Sequence, residues 1–170
     1  MTNRFFNLHE VILMEVRIVK LAEALILRAD YQKRIAQLQQ RLVRSAKVQE
    51  GEQPSENPQE LLNELETVAT ELARLIQRIN RTNSTTTFRD GRLSDALAER
   101  DVLRLKRTAY DSLINAAALR QDRYMRSEIR LISTVDVAEL QRQVDRLSRD
   151  DRELDAQIQA TNWATDLIED

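Results

Sequence analysis

The sequence predicts a mainly α protein: long antiparallel helices, arranged as a bundle or as coiled-coil hairpins, with a small β-hairpin or short sheet. Three observations lead there. From Leu61 to Ile79 the large apolar residues fall three or four apart without a miss, as Leu61, Leu65, Val68, Leu72, Leu75 and Ile79. A flanking row runs seven apart through Leu62, Ala69 and Ile76, and the same rhythm returns as Val137, Leu140, Val144, Leu147, Leu154 and Ile158. Such spacing lays an apolar stripe down a helix, and another helix must cover it. Only 2 Gly and 2 Pro in 170 residues leave few places to reverse the chain, so the elements are few and long. The length suits a single helical domain with a real core, preceded by residues 1–14 as an extra N-terminal lead-in.

The first helix is expected from around Val11 or Arg17 to about Lys47, with Leu21, Ala24, Tyr31, Ile35, Leu38 and Leu42 in step. Arg28 is its polar exception. Gln49 to Asn57, containing Gly51 and Pro54, reads as a polar loop. The second helix announces its start. Asn57 can cap, Pro58 suits the first helical position, and Glu60 can reach back to the cap. Charge predicts that these two helices run antiparallel. Seven acids and no Lys or Arg lie from Glu50 to Glu71, while Lys33, Arg34, Arg41, Arg44 and Lys47 fill the closing half of helix one. Each exposed pair contributes only ~0–1 kcal/mol, so the pattern sets register more than stability.

Asn80 to Ser94 breaks the helical rhythm. Thr85, Thr86, Thr87 and Phe88, followed by the turn dipeptide Asp90-Gly91, predict a β-hairpin across Thr85–Leu93. Ser94 is expected to cap a third helix from Asp95 to about Leu119, through Leu97, Leu105, Ala109, Leu113 and Ala117. Glu128 to Val135 alternates as a strand would and could join the hairpin in a small sheet. The fourth helix opens with Asp136 as cap, Glu139 three residues on, and Val135 placed to staple onto Leu140. It runs to about Trp163. Asp151 interrupts its apolar seam between Leu147 and Leu154; a buried Asp needs a partner, for which Arg149 and Arg152 are local candidates, but the expectation is that the seam opens to solvent there instead.

Composition narrows the chemistry. With no Cys, the chain has no disulfide, Cys-ligated zinc, iron–sulfur cluster or thiol nucleophile. His9 is the only histidine, so His-rich metal sites and most Ser-His pairings go as well. No metal and no cofactor is expected. A net charge of -2 argues against nucleic-acid binding. No apolar run is longer than that from Val11 to Met14, which falls far short of the roughly 20 residues that span a bilayer, so no membrane partner is expected. Asn7, His9 and Glu10 interrupt the lead-in, which does not read as a signal peptide, and a cytoplasmic address follows.

Several ordered stretches carry a family resemblance: Lys20-Leu21-Ala22-Glu23-Ala24-Leu25, Val48-Gln49-Glu50-Gly51-Glu52, Ile79-Asn80-Arg81-Thr82-Asn83, Leu97-Ala98-Glu99-Arg100-Asp101, Asp122-Arg123-Tyr124 and Asn162-Trp163. Over roughly Val19 to Leu167 the chain resembles an uncharacterised bacterial family whose members are often labelled septicolysin or septicolysin-like. The resemblance implies a helical cytoplasmic protein with no agreed active site. The label itself implies a thiol-activated, pore-forming toxin, against which the missing thiol speaks directly.

The most site-like feature is the polar cluster Asn80, Arg81, Thr82 and Asn83. Amides and a guanidinium at a helix end could offer several donors to a small anionic ligand such as a phosphate or carboxylate. The plainer reading is that Asn and Thr end the helix and start the hairpin. Glu99, Arg100 and Asp101 follow in the third helix. Two carboxylates two apart point in different directions, so they cannot chelate one metal together. Arg100, Arg104 and Arg107 share a face, and Leu97 to Arg130 holds eight basic and five acidic residues, a mild surplus. Two readings result. The first is a non-catalytic homo-oligomer, an interaction or scaffold protein whose long helices are covered by further copies. The second is a phosphoester- or small-molecule-handling enzyme or anion binder, with a site drawn from Asn80, Arg81, Thr82, Asn83, Arg100, Asp101, Arg123 and Tyr124. Convergence of those residues in one concave pocket favours the second.

Overall fold

The computed structural model describes residues 19–118 and 132–169. These residues form four long helices, α1 (Leu21–Ser45), α2 (Pro58–Thr85), α3 (Leu93–Ala118) and α4 (Val137–Ala164), with a two-stranded hairpin of β1 (Thr87–Phe88) and β2 (Gly91–Arg92) between α2 and α3. The mainly α architecture with a small sheet is therefore as the apolar spacing predicts. Packing is strongest within α1/α2 and within α3/α4, with lighter contacts of α1 on α4 and α2 on α3. Each pair forms an antiparallel arm. The arms meet in a hub made from the start of α1, the end of α2, the hairpin, the start of α3 and the end of α4. Leu21, Ala24, Leu75, Ile79, Phe88, Leu93, Ala96, Leu154, Ile158 and Leu167 form its core.

Local chemistry explains where the helices begin. Asn57 accepts a hydrogen bond from the Gln59 amide at 2.9 Å, and Pro58 takes the first helical position, where its missing N–H has no cost. Glu60 meets the Asn57 side-chain amide at 3.3 Å. Asp136 caps α4 by accepting from the Glu139 amide at 2.9 Å. Gly51, at φ 90, turns the loop between α1 and α2 through the left-handed region that favours glycine. Across the first arm, Arg34 bonds Glu64 and Arg41 bonds Glu56, so the basic end of α1 does lie against the acidic start of α2.

Other boundaries differ from expectation. Helix α1 starts at Leu21, because Lys20 is drawn into an isolated antiparallel bridge with Asp166. Helix α2 does not break at Asn80. It continues to Thr85, and the hydroxyls that could have capped it bond inside the helix to carbonyls one turn earlier: Thr82 to Arg78 and Thr85 to Arg81, both at 2.9 Å. The two-residue turn of the hairpin is Arg89-Asp90, with Gly91 already paired to Phe88, so the expected Asp90-Gly91 turn is displaced by one residue. Arg89, at φ 49, carries the left-handed conformation. Ser94 lies inside α3, and Asp95 does the work of a cap by accepting the Arg92 amide at 2.9 Å. A Cβ at Gly91 would stand 3.1 Å from that carboxylate, which is why a glycine fits. Ile132 to Val135 are not a strand, and the rest of the expected strand lies outside the described residues.

A short tail seals the hub. Leu167 is buried and donates its amide to the Val19 carbonyl at 2.8 Å, while the Leu21 amide bonds the Thr165 carbonyl at 2.9 Å. The Ile168 amide donates to the Thr82 hydroxyl at 3.0 Å, and Arg78 donates to the Ile168 carbonyl at 3.1 Å. The start of α1 is thereby tied to the end of α4 and to the last turns of α2.

Candidate functional site

Asn80, Arg81, Thr82 and Asn83 occupy successive positions in the last turns of α2, so they face different directions. Thr82 is buried and already has two partners, donating to Arg78 and accepting from Ile168. Asn80 and Arg81 are exposed, and Asn83 is half-buried. The Arg81 carbonyl receives the Ser84 and Thr85 hydroxyls. Arg100 and Asp101 stand on α3, and Arg123 and Tyr124 lie outside the described residues. Among the described residues, concavities near the hub include the following two. One, about 150 Å³, is lined by Leu27, Tyr31, Glu71, Arg74, Leu75 and Arg78. The other, about 230 Å³, is lined by Arg89, Glu99, Leu103, Asp150, Glu153 and Leu154. Neither includes a residue of the sequence-derived cluster.

Arg100 instead belongs to a ladder that closes the second arm. Arg100 pairs with Asp155 at 3.1 Å, Arg104 with Asp155 at 3.2 Å and with Asp151 at 2.9 Å, and Arg107 approaches Asp151 at 3.9 Å. Spacings of four and three on α3 and of four on α4 put all five groups along one helix interface. Arg100 also reaches Asp101 at 3.5 Å. Asp151 is buried, and its partners come from α3, so the expected opening of the seam to solvent and the local pairing with Arg149 and Arg152 are both corrected. A buried carboxylate demands a charged partner, and the neighbouring helix supplies one. The hydrogen bond from Arg104 to Asp151 raises the guanidinium above its ordinary range. Sequence reasoning missed Asp151 and Asp155 as part of this group. The signal was present: an Arg face on one helix and a seam acid on another, each at helical spacing.

Chemically, the ladder is a clamp. Its guanidiniums are held by carboxylates of the same fold. Among the described residues, no group of three His, Cys, Asp or Glu is placed to hold a metal ion. Nor, among them, is any helix long and apolar enough to cross a membrane.

Comparison with known proteins places this geometry. The chain is similar to a solved structure from Corynebacterium diphtheriae, described as a functionally unknown conserved protein, at 47% identity and a TM-score of 0.82. The alignment covers 89% of this chain and 99% of that one. Among curated proteins none matches. A profile described as a family of unknown function, DUF6847, matches residues 28–167. With that match spanning most of its length, the chain belongs to this family of unknown function.

Proposed function

We propose that this protein is a homo-oligomeric interaction or scaffold protein that works in the cytoplasm and whose activity is assembly rather than catalysis. One observation carries the reading: the arms leave large apolar side chains bare. Leu105 and Val43 are each 70% exposed, and Val102, Ile26, Leu27, Leu62, Leu113 and Trp163 are exposed as well. Two-helix arms have too little interior to cover every apolar row, and a further copy would do so. Of the polar residues that a catalytic site would recruit, Thr82 serves in the tail clasp and Arg100 in the Arg–Asp ladder. Light scattering on a sizing column tests it. The expected mass is a multiple of the 19.8 kDa chain, and a compact monomer at micromolar concentration contradicts the proposal.

A second reading, a small-anion binder at Arg100, draws support from one atom. Arg100 Nε is buried without an acceptor among the described residues, although its other nitrogens pair with Asp155 and Asp101. Inorganic phosphate that raises the melting temperature of the wild type and not of Arg100→Met favours that reading. A toxin of the kind the septicolysin label implies has no support here, since the chain has no thiol to activate.

A further inference from the structure

Helix α3 has apolar residues on two opposite faces. One face, with Leu93, Ala96, Leu97 and Leu103, packs into or against the hub core. The other carries Ser94, Ala98, Val102, Leu105, Ala109 and Leu113. At 3.6 residues per turn these six form one straight stripe on the side away from the ladder arginines. Ser94 is half-buried and the remaining five are exposed. No charged residue interrupts the row.

Resting on the oligomeric reading above, we propose that this stripe is a self-pairing surface, on which a second copy of the chain docks its own α3 antiparallel. The spacing along the stripe is four, four, three, four, four, which reads the same in both directions. A stripe of that kind lies on itself residue for residue when one copy is turned end for end, which suits pairing about a twofold axis. Antiparallel docking centred between Val102 and Leu105 sets Ser94 opposite the second copy's Leu113. It sets Ala98 opposite Ala109, and Val102 opposite Leu105. The small end of one stripe thus receives the large end of the other, as interdigitating helices require.

Charge points to the same arrangement. Glu99 and Lys106 are both exposed, lie seven apart on one flank of the stripe, and have no ion pair among the described residues. Antiparallel pairing brings each Glu99 to the second copy's Lys106, giving two symmetric ion pairs. A parallel pairing would force the two hubs together at one end, whereas the antiparallel one sets them at opposite ends of the paired helices.

The test uses the full chain and its freedom from cysteine. In sedimentation equilibrium, Leu105→Glu should weaken dimerisation about 100-fold or more, as loss of a central anchor does, with the helical circular-dichroism spectrum kept because Leu105 is exposed. Glu99→Lys should weaken it about tenfold and Glu99→Lys with Lys106→Glu should restore it, a pattern that a merely misfolded variant cannot give. Under oxidation, a mixture of Ala98→Cys and Ala109→Cys chains should cross-link to each other, and neither should cross-link alone. A wild type that oligomerises while Leu105→Glu leaves its mass unchanged overturns this interface and spares the oligomeric reading. Disulfides formed by Ala98→Cys alone overturn the antiparallel register. A monomeric wild type overturns both.

Discussion

The two arms close by different physics. In the first, α1 and α2 meet along an apolar seam in which Leu38 and Leu61 are buried, and ion pairs such as Arg34–Glu64 stay at the half-exposed flank. In the second, α3 and α4 carry charge inside the seam, where buried Asp151 is held by Arg104 and Arg107. An apolar seam gains from every methylene it removes from water. An ionic ladder around a buried carboxylate gains little net energy, because desolvation offsets attraction, but it punishes any wrong pairing. The first arm is therefore built for stability and the second for register. This second arm also carries the bare stripe of α3, so a fixed register there bears on how a partner would be met.

The contrast can be broken most forcefully at the first seam. Leu38 is fully buried, so Leu38→Ala should cost about 3 kcal/mol in urea unfolding. A loss under about 1 kcal/mol would mean that this seam is not packed as described. At the second seam, Asp151→Ala should cost about 2 kcal/mol, below the usual figure for a broken buried pair because Arg104 and Arg107 can turn toward water. Asp151→Leu should stay within about 1 kcal/mol of wild type, since replacing a buried charge by an apolar group is often neutral. Equal penalties for the two substitutions would show that the ladder is not what tolerates change there.

Smaller effects sharpen the comparison at the helix starts and flanks. Asn57→Ala removes the cap of α2 and should cost about 1 kcal/mol. A double-mutant cycle on Arg34 and Glu64 should return a coupling of ~0–1 kcal/mol that fades in high salt. At the start of α4, hydrogen bonds from Arg142, Gln143 and Arg146 lower the Glu139 carboxyl from 4.5 to about 2. Because the folded value is depressed, its stabilising effect is complete above the ordinary value of 4.5 and is lost as pH falls through about 2. The melting-temperature gap between wild type and Glu139→Gln should therefore close on acidification across that window. A gap that persists at pH 2 would contradict the assignment.

What was legible in the sequence was what local chemistry decides. Asn57-Pro58 and Asp136 with Glu139 mark helix starts because caps act within three residues, and both starts stand where the caps put them. The basic half of α1 against the acidic half of α2 also gave the pairing of the first arm. Features decided by distant parts of the chain were hidden. Asp151 draws its partner from 47 residues away. The last turns of α2 look like a break in sequence, yet they are helical, with the Thr82 and Thr85 hydroxyls bonded inside the helix and the tail docked on Thr82. In α3 a single three-four rhythm mixed two faces: Leu97 packs against the hub core while Leu105 points outward and Leu113, partly exposed, lines a concavity with Ile132 and Val135. The polar cluster of Asn80 to Asn83 was legible as composition only. Its members share a stretch of chain and not a cavity, because neighbours on a helix diverge.

Sedimentation equilibrium of the wild-type chain beside Leu105→Glu, over a micromolar concentration series, tests the central claim most directly. The wild type should run at twice the 19.8 kDa chain mass and the variant at the mass of one chain, both fully helical. A wild type that stays at the mass of one chain throughout the series contradicts an assembly function for this protein.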